Sequence, residues 1–425
     1  MTRSLDVRTR VDGPVEPIGP ESFFGTDLAE HWAVHADLLA PACAFLPLRP
    51  LTIEVGERAW TLELVDGRPV VVAGSREGSP TLRLDAEQLS DLVADQTTPV
   101  TWMVNGTLEI HRGRLDDALN WWLVIRGALD GEAPWVPGSI DLGAGIGAGA
   151  TPDLGRAFGV DDDPDEMAAF LHRLGYLHLA AVFTPDEMAA VSADMDRFAP
   201  EYSPGDGRSW WARLGDGSDR LVRMQGFDRL SVVVASLLDD DRLARIGELF
   251  DDGHRISADG SNRIEALFKP IGVIEGISDV PWHKDCSLGR HSYDCCSLTV
   301  GISVTGADAT SGQLRVVAGS HRARVWPSPI LQPGLDLPVV DLATASGDVT
   351  VHSSCTLHMA QPPVDRERRV LYTSFFLPPI DPQAARIAKA RLGRNRELAP
   401  VTVSQPPAPQ PPANVLGVKS VKKGP

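Results

Sequence analysis

The sequence feature that most constrains the fold is the triplet His283-Lys284-Asp285, read together with two histidines far along the chain. Residues two apart in a strand face the same side, so His283 and Asp285 can bind one metal from a single strand. Two imidazoles and one carboxylate form a set that holds non-haem Fe(II) on one face and leaves its other positions open. The third ligand must come from a distant strand, and His352 and His358 are both candidates.

Composition narrows the class of protein. The 425 residues suggest two to three domains, and a net charge of −17 disfavours a nucleic-acid partner. The five cysteines are odd in number and lack CxxC spacing, which argues against a disulfide framework or a zinc site and favours a reducing cytoplasm. No apolar run approaches the roughly 20 residues that would insert into a membrane, and the charged start does not resemble a signal peptide.

The N-terminal third alternates strand and helix patterns. After a loose lead-in over 1–25, we expect a small α/β domain over 26–137. Asp66-Gly67 and Asn105-Gly106 are hairpin signals, and Asp85 is a candidate helix cap. The predicted helices are 28–42, 86–94 and 114–127, and the predicted strands are 51–55, 59–65, 69–73, 81–84, 100–104 and 107–111.

The segments 60–67 and 103–113 resemble the sterol-carrier-protein lipid-binding fold over about residues 30–130. The resemblance implies a possible lipid or acyl ligand at the N-terminal domain. An unrelated small α/β domain is the alternative.

The chain after residue 137 predicts a linker, a helical segment, a strand-rich domain and a tail. Residues 138–160 are rich in glycine and predict a linker, because no βαβ unit surrounds them as a dinucleotide-binding loop requires. The acidic run 161–166 predicts a solvated helix start. We expect helices over 165–174, 186–197 (with a capping box from Thr184 to Glu187) and 230–250, then short strands over 262–377 that indicate a barrel or jelly roll. A short helix over 383–393 and a largely disordered tail over 383–425 complete the chain.

Four segments together resemble the phytanoyl-CoA dioxygenase-like Fe(II)/2-oxoglutarate oxygenases: 175–187, 281–285, 312–321, and Gly347-Asp348 leading to His358 and Arg369. The resemblance implies an α+β chain whose residues 161–382 form a double-stranded β-helix (jelly-roll, cupin-like) with flanking helices. It implies Fe(II), 2-oxoglutarate and O2 as cofactor and co-substrates. In the family a ligand lies ten residues after the aspartate of the Gly-Asp pair, which matches His358 and leaves His352 as a supporting or core residue.

The resemblance also assigns the co-substrate contacts. The family's co-substrate arginine lies eleven residues after the second histidine, which matches Arg369, and Lys269 matches a lysine near the co-substrate. Arg369 starts an apolar run, so we expect it to be partly buried and Arg368 to be the surface charge. Gly301 replaces a bulky aromatic residue and Ala360 replaces a serine found in some relatives. Both changes leave the co-substrate contacts open and are compatible with a larger pocket.

The carboxylate of Asp285 bears on the reaction. Halogenating relatives replace it with a small residue, so its presence predicts hydroxylation or a related oxidation (desaturation or ring closure), with release of succinate and CO2. The substrate is expected to be small and, by analogy with the N-terminal resemblance, apolar or acyl-type. Two alternatives stand: a metal-dependent barrel hydrolase or isomerase, and a lipid-binding protein with a degenerate barrel. The oligomeric state is not readable from the sequence.

Overall fold

The computed structural model describes residues 15–143, 152–249, 253–256, 263–288 and 297–377, with three isolated positions beyond them. Short helical turns at Pro20–Ser22 and Phe23–Asp27 precede the first long element. The helices are α1 Leu28–Val34, α2 Ala36–Phe45, α3 Ala86–Val93, α4 Pro99–Val104, α5 Leu115–Asp130, α6 Pro164–Leu174, α7 Pro185–Phe198, α8 Val232–Leu238 and α9 Asp241–Glu248.

The strands of the N-terminal part are β1 Leu51–Val55, β2 Arg58–Val65, β3 Arg68–Ala73, β4 Thr81–Leu84 and β5 Glu109–His111. Those that follow are β6 Tyr176–Leu179, β7 Ser209–Leu214, β8 Asp219–Gln225, β9 Arg255–Ile256, β10 Ile264–Lys269, β11 Val273–Glu275, β12 Ser297–Ser303, β13 Leu314–Val317, β14 Val339–Leu342, β15 Val349–Ser353, β16 His358–Ala360 and β17 Arg368–Phe376.

The N-terminal strands form one five-stranded sheet in the order β3-β2-β1-β4-β5. Only the β1–β4 pair is parallel. The predicted hairpin turn is confirmed, since Asp66 and Gly67 both take positive φ, at 51° and 76°. Helices α1 and α5 cover the sheet with buried tryptophans, among them Trp32 and Trp121.

Three N-terminal predictions are wrong. Residues 100–104 form α4 and not a strand, because Thr98 caps the helix and Pro99 occupies its first turn. Asn105-Gly106 therefore ends a helix and does not turn a hairpin. The predicted helix over 28–42 is divided at His35, whose φ of −109° is not helical. The predicted caps at Asp85 and Thr184 are confirmed as capping boxes.

The remaining strands build two further sheets. The larger runs β11-β7-β8-β10-β17-β12-β15-β6, with β9 added beside β17, and the smaller runs β14-β13-β16. Helices α6, α7, α8 and α9 contribute to the same hydrophobic cluster as the strands of both sheets. The helix predicted over 230–250 is two helices, because Asp240 caps α9 after α8 ends at Leu238.

The segment between β13 and β14 packs on the N-terminal unit. The indole Nε1 of Trp326 donates to Asn120 Oδ1 at 3.1 Å, and Trp326 lies in the same hydrophobic cluster as the α5 tryptophans. Arg324 and Asp130 form a buried ion pair at 3.0 Å. The N-terminal unit therefore shares buried contacts with the sheets that follow it.

Several sequence predictions lie partly or wholly outside the described residues. Part of the glycine-rich linker (144–151) and most of the 383–425 tail with its helix fall there. The sterol-carrier resemblance and the domain boundaries stay predictions. Among the described residues no helix combines the length and apolarity that crossing a bilayer requires.

Candidate metal centre

The backbone places His283 and His358 side by side. Each donates its amide N–H to the carbonyl of the other at 3.0 Å, in an antiparallel bridge. The two rings lie 4.1 Å apart, centroid to centroid. Their Nδ1 atoms contact the carbonyls of Pro281 and Thr356 at 2.7 and 2.9 Å. Because a carbonyl can only accept, both Nδ1 atoms carry a proton, which leaves Nε2 as the nitrogen through which each neutral ring can bind a metal.

Asp285 supplies the third ligand atom. Its Oδ1 lies 3.3 Å from Nε2 of His283 and 3.5 Å from Nε2 of His358. Ligand atoms about 2.1 Å from one metal and at right angles to each other are about 3 Å apart, so this spacing suits an octahedral face. The three residues are the group of potential ligands whose atoms all lie within 4.8 Å of one another. Asp285 opens a short 3-10 turn and does not continue a strand as expected, yet it faces the same side as His283.

The intervening Lys284 explains how the triplet is held. It is fully buried on the opposite side, and its Nζ donates to the carbonyls of Ser320 and Ala323 at 3.0 Å each. Ser320 Oγ in turn accepts from the amide of Leu357, next to His358. The lysine therefore ties the strand of the first histidine to the segment that carries the second.

The Gly-Asp pair has a structural role. Asp348 accepts from Ala181 N and Ala345 N at 2.8 Å and contacts His178 Nε2 at 2.9 Å, which joins β6 to the start of β15. Gly347 has φ +91°, and a Cβ there would lie 1.9 Å from the carbonyl oxygen of Phe183. Only glycine fits this approach.

Charges at the site favour a bound cation. Desolvation alone would raise the pKa of Asp285, but His358, His283 and His352 outweigh it and hold that pKa well below its usual range. Burial lowers the pKa of His358, and the neighbouring His283 and His352 lower it further. An ionised Asp285 carboxylate beside a neutral His358 imidazole is the protonation state that metal binding requires.

Arg369 does not lie at this site, so the sequence assignment needs correction. Its guanidinium donates to Ser192 O and Oγ and to Asp196 Oδ2, at 2.8–3.1 Å, on helix α7. It also lies 5.0 Å from the ring of Phe268, its partner across the β10–β17 pair. Arg369 therefore faces the helices on the outer side of the sheet.

Arg368 occupies the inward position that was expected for Arg369. It is 3% exposed and pairs with Lys269 across β10 and β17. The side chains of Arg368 and Lys269 lie on the same face of the large sheet as Val370, which pairs with Ser303 of β12. That face continues along β12 to Thr299 and across to its partner His352. It is the face that meets Asp285. The expectation that Arg368 is a surface charge was wrong.

The Arg368–Lys269 pair is suited to an anion. Arg368 Nη1 donates to Gly312 O at 2.7 Å, while its Nε has no hydrogen-bond partner among the described residues. Lys269 donates to Ser278 O, and burial, with a contribution from Arg368, lowers the pKa of Lys269 to about 7. Two buried cations with an unused donor are a site for a carboxylate such as the distal group of 2-oxoglutarate.

Gly301 and Ala360, the two departures from the family pattern, have different surroundings in the structure. A Cβ at Gly301 would lie 2.9 Å from the Tyr372 ring and 3.0 Å from Thr350 Oγ1, so these side chains already fill the space. The glycine therefore does not enlarge the pocket at this position. Ala360 is buried opposite Leu314 on the small sheet, on the same face as His358.

Comparison with known proteins finds one family that matches part of the chain. Residues 171–370, just under half of the chain, match the family described as phytanoyl-CoA dioxygenase (PhyH). Over this segment the chain is similar to the phytanoyl-CoA dioxygenases, and it is a 2-oxoglutarate-dependent oxygenase. The resemblance seen in the sequence is thereby confirmed, and with it Fe(II) and 2-oxoglutarate, which the two imidazoles, the carboxylate and the unused arginine donor fit. No curated protein matches the chain.

Solved structures that match part of this chain include AviO1 from Streptomyces viridochromogenes, with 23% identity over 52% of this chain and 97% of AviO1 and a TM-score of 0.40. The epimerase SnoN from nogalamycin biosynthesis, described as non-heme and alpha-ketoglutarate-dependent, has 20% identity over 52% and 88% of the two chains and a TM-score of 0.39. EctD from S. alaskensis, solved with 2-oxoglutarate and 5-hydroxyectoine, has 19% identity over 51% and 77% and a TM-score of 0.41. The family match, and not these likenesses, carries the assignment.

Proposed function

We propose that the enzyme hydroxylates a C–H bond of a small molecule while it converts 2-oxoglutarate to succinate and CO2. The observation that carries the proposal is the convergence of His283 Nε2, His358 Nε2 and Asp285 Oδ1 on one point. The presence of the Asp285 carboxylate, where halogenating relatives have a small residue, favours hydroxylation, with desaturation and ring closure as related outcomes.

In this proposal His283, Asp285 and His358 hold Fe(II), and Arg368 with Lys269 holds the distal carboxylate of 2-oxoglutarate. When bound, the iron supplies the activation of O2 that the side chains themselves cannot perform. The protein contributes orientation: the cation pair would fix one end of the co-substrate, and the three side chains would present their ligand atoms to one point. Lys284 and Asp348 hold the strands in place. We also propose that the large and small sheets together form the double-stranded β-helix expected of the family.

The substrate class stays a proposal. The small sheet presents apolar side chains on the face that carries His358, namely Leu314, Val316 and Ala360. An apolar or acyl-type substrate would suit contact with that apolar face of the small sheet. The sterol-carrier resemblance of the N-terminal unit supports a lipid or acyl ligand there as a further part of the proposal.

The deciding experiment is an anaerobic titration of the apoprotein with Fe(II) and then 2-oxoglutarate. We expect the weak visible charge-transfer band of the iron chelate to appear with one equivalent of each. Admission of O2 should then yield succinate. A protein that binds Fe(II) but gives neither band nor succinate would favour the hydrolase or isomerase alternative. Lipid co-purifying with a protein that binds no iron would favour the lipid-binding alternative.

A further inference from the structure

A third histidine, His352, lies beside the two histidines and the aspartate of the ligand group. It sits on β15, is 1% exposed, and faces Thr299 directly across the β12–β15 pair. Neither of its ring nitrogens has a hydrogen-bond partner in the described part of the chain. A buried polar group without a partner costs free energy, and an apolar side chain of similar shape would avoid that cost.

The position of His352 relative to Asp285 suggests what it does. The two carboxylate oxygens of Asp285 have different surroundings: Oδ1 faces the Nε2 atoms of His283 and His358. Oδ2 accepts from Thr299 Oγ1 at 2.7 Å and lies 3.6 Å from Nε2 of His352, just beyond hydrogen-bond length. Two residues paired across neighbouring strands therefore approach the same oxygen, and it is the oxygen turned away from the other two ligands.

The ring of His352 also packs on a ligand. Its centroid lies 4.1 Å from that of His358, with the planes tilted by 49°. Yet His352 is not in the group of residues whose ligand atoms all lie within 4.8 Å of one another. The geometry therefore fits a residue that acts on the ligands and does not itself bind the metal.

We propose that His352 is a positioning residue for Asp285. Together with Thr299 it holds Oδ2, so that only Oδ1 is presented to the metal and the carboxylate binds through one oxygen. A carboxylate that binds through one oxygen leaves a coordination position free for a co-substrate. The inference rests on the proposed metal site, and it gives the supporting role that the sequence allowed for His352 a specific target, Oδ2 of Asp285.

The test compares two His352 variants and one matched variant of the facing strand. His352→Leu removes the donor and keeps the bulk, His352→Gln keeps a donor, and Thr299→Val removes the other contact to Oδ2. Two quantities are measured on each anaerobic apoprotein: the dissociation constant for Fe(II), and the thermal unfolding temperature without metal.

We expect His352→Leu to weaken Fe(II) binding about 10- to 100-fold, the range found when groups that orient metal ligands are removed. The same variant should unfold at the same or a higher temperature without metal, because it replaces an unpartnered buried imidazole. His352→Gln should recover part of the Fe(II) affinity, and Thr299→Val should lose affinity in the same range.

Two results would overturn the inference. One is unchanged Fe(II) affinity in His352→Leu. The other is a parallel loss of affinity and apoprotein stability in both His352 variants, which would mean that the imidazole only packs. If instead the wild-type protein fails to bind Fe(II), the proposed function fails as well, so the two failures are distinguishable.

Discussion

Arg368 and Lys269 face each other across β17 and β10, while Arg369, one residue later, turns to the opposite side of the sheet. The two arginines are neighbours in sequence but differ in every contact. Arg368 is buried and its Nε has no hydrogen-bond partner among the residues that the structure describes, whereas Arg369 is bonded to Asp196 and Ser192 on α7. This alternation provides a test with a built-in control.

We predict that Arg368→Met raises the KM for 2-oxoglutarate about 10- to 100-fold, because hydrogen bonds to a charged group contribute about 1.5–3 kcal/mol each. Arg369→Met should leave this KM within about twofold. Its ion pair with Asp196, whose side chain is 64% exposed, is of the surface kind that stabilises little. Steady-state succinate formation at varied 2-oxoglutarate measures both variants. The reverse pattern would restore the assignment made from sequence spacing.

Spacing alone could not decide between the two arginines. Counting eleven residues from His358 selects Arg369, but side chains in a strand alternate between faces. A difference of one residue in the turn before β17 therefore exchanges which arginine points inward. The register with Lys269 on β10 settles the matter, and that register is a property of the folded sheet.

Some other features of the site and the fold could be predicted from the sequence, and some could not. The alternation across His283-Lys284-Asp285 placed both ligands on one side, even though Asp285 begins a 3-10 turn. The apolar, β-branched run 100–104 was misassigned as a strand because its periodicity is ambiguous, and the cap at Thr98 decided for helix. Gly301 suggested a wider pocket, but whether a neighbour such as Tyr372 fills the space depends on tertiary packing.

The second prediction concerns pH. Burial, followed by repulsion from Arg368 and Arg223 and offset in part by Asp279, lowers the pKa of Lys269 to about 7. Above that pH the free enzyme loses the proton, and binding an anion beside Lys269 must take it up again. The apparent affinity for 2-oxoglutarate should therefore fall by up to about tenfold per pH unit above 7 and level off below it. Anaerobic titrations from pH 6 to 9 measure this slope.

The control for the pH effect is Lys269→Met. It should bind 2-oxoglutarate more weakly at pH 6, since one cation is missing, but with no slope that depends on this lysine. A wild-type affinity that stays constant from pH 6 to 9 would contradict the assignment of Lys269 to the co-substrate.

The third prediction is that Asp285→Ala abolishes succinate formation while the protein stays folded. The variant removes Oδ1, the carboxylate oxygen that faces both ligand imidazoles in the described part of the chain. Exposed Asp365, on the turn before β17, supplies the matched control, and Asp365→Ala should retain full turnover. Succinate is quantified after equal loading with Fe(II), and circular dichroism verifies folding. Full turnover in Asp285→Ala would refute the ligand set.

The last prediction tests the close backbone contact between Gly347 and Phe183, which lies just before β15 on the way to His358. In Gly347→Ala the new Cβ would meet the backbone oxygen of Phe183 at 1.9 Å, and φ there is +91°. The two backbone segments cannot easily move apart, because Gly347 N donates to Ser303 O at 2.8 Å and Phe183 N donates to Gly347 O at 3.0 Å. We expect a loss of about 3 kcal/mol or more in the free energy of unfolding, measured by urea titration.

Gly205→Ala separates the two causes of that loss. Its φ of +82° is similarly unfavourable for alanine, but no atom lies within 4 Å of the added Cβ. It should therefore cost only about 1 kcal/mol, the conformational part alone. Equal costs in the two variants would mean that the close approach of Gly347 to Phe183 is not needed. A larger loss of unfolding free energy in Gly347→Ala, accompanied by lost succinate formation, would mean that the contact between the β6 and β15 segments positions the strand leading to His358.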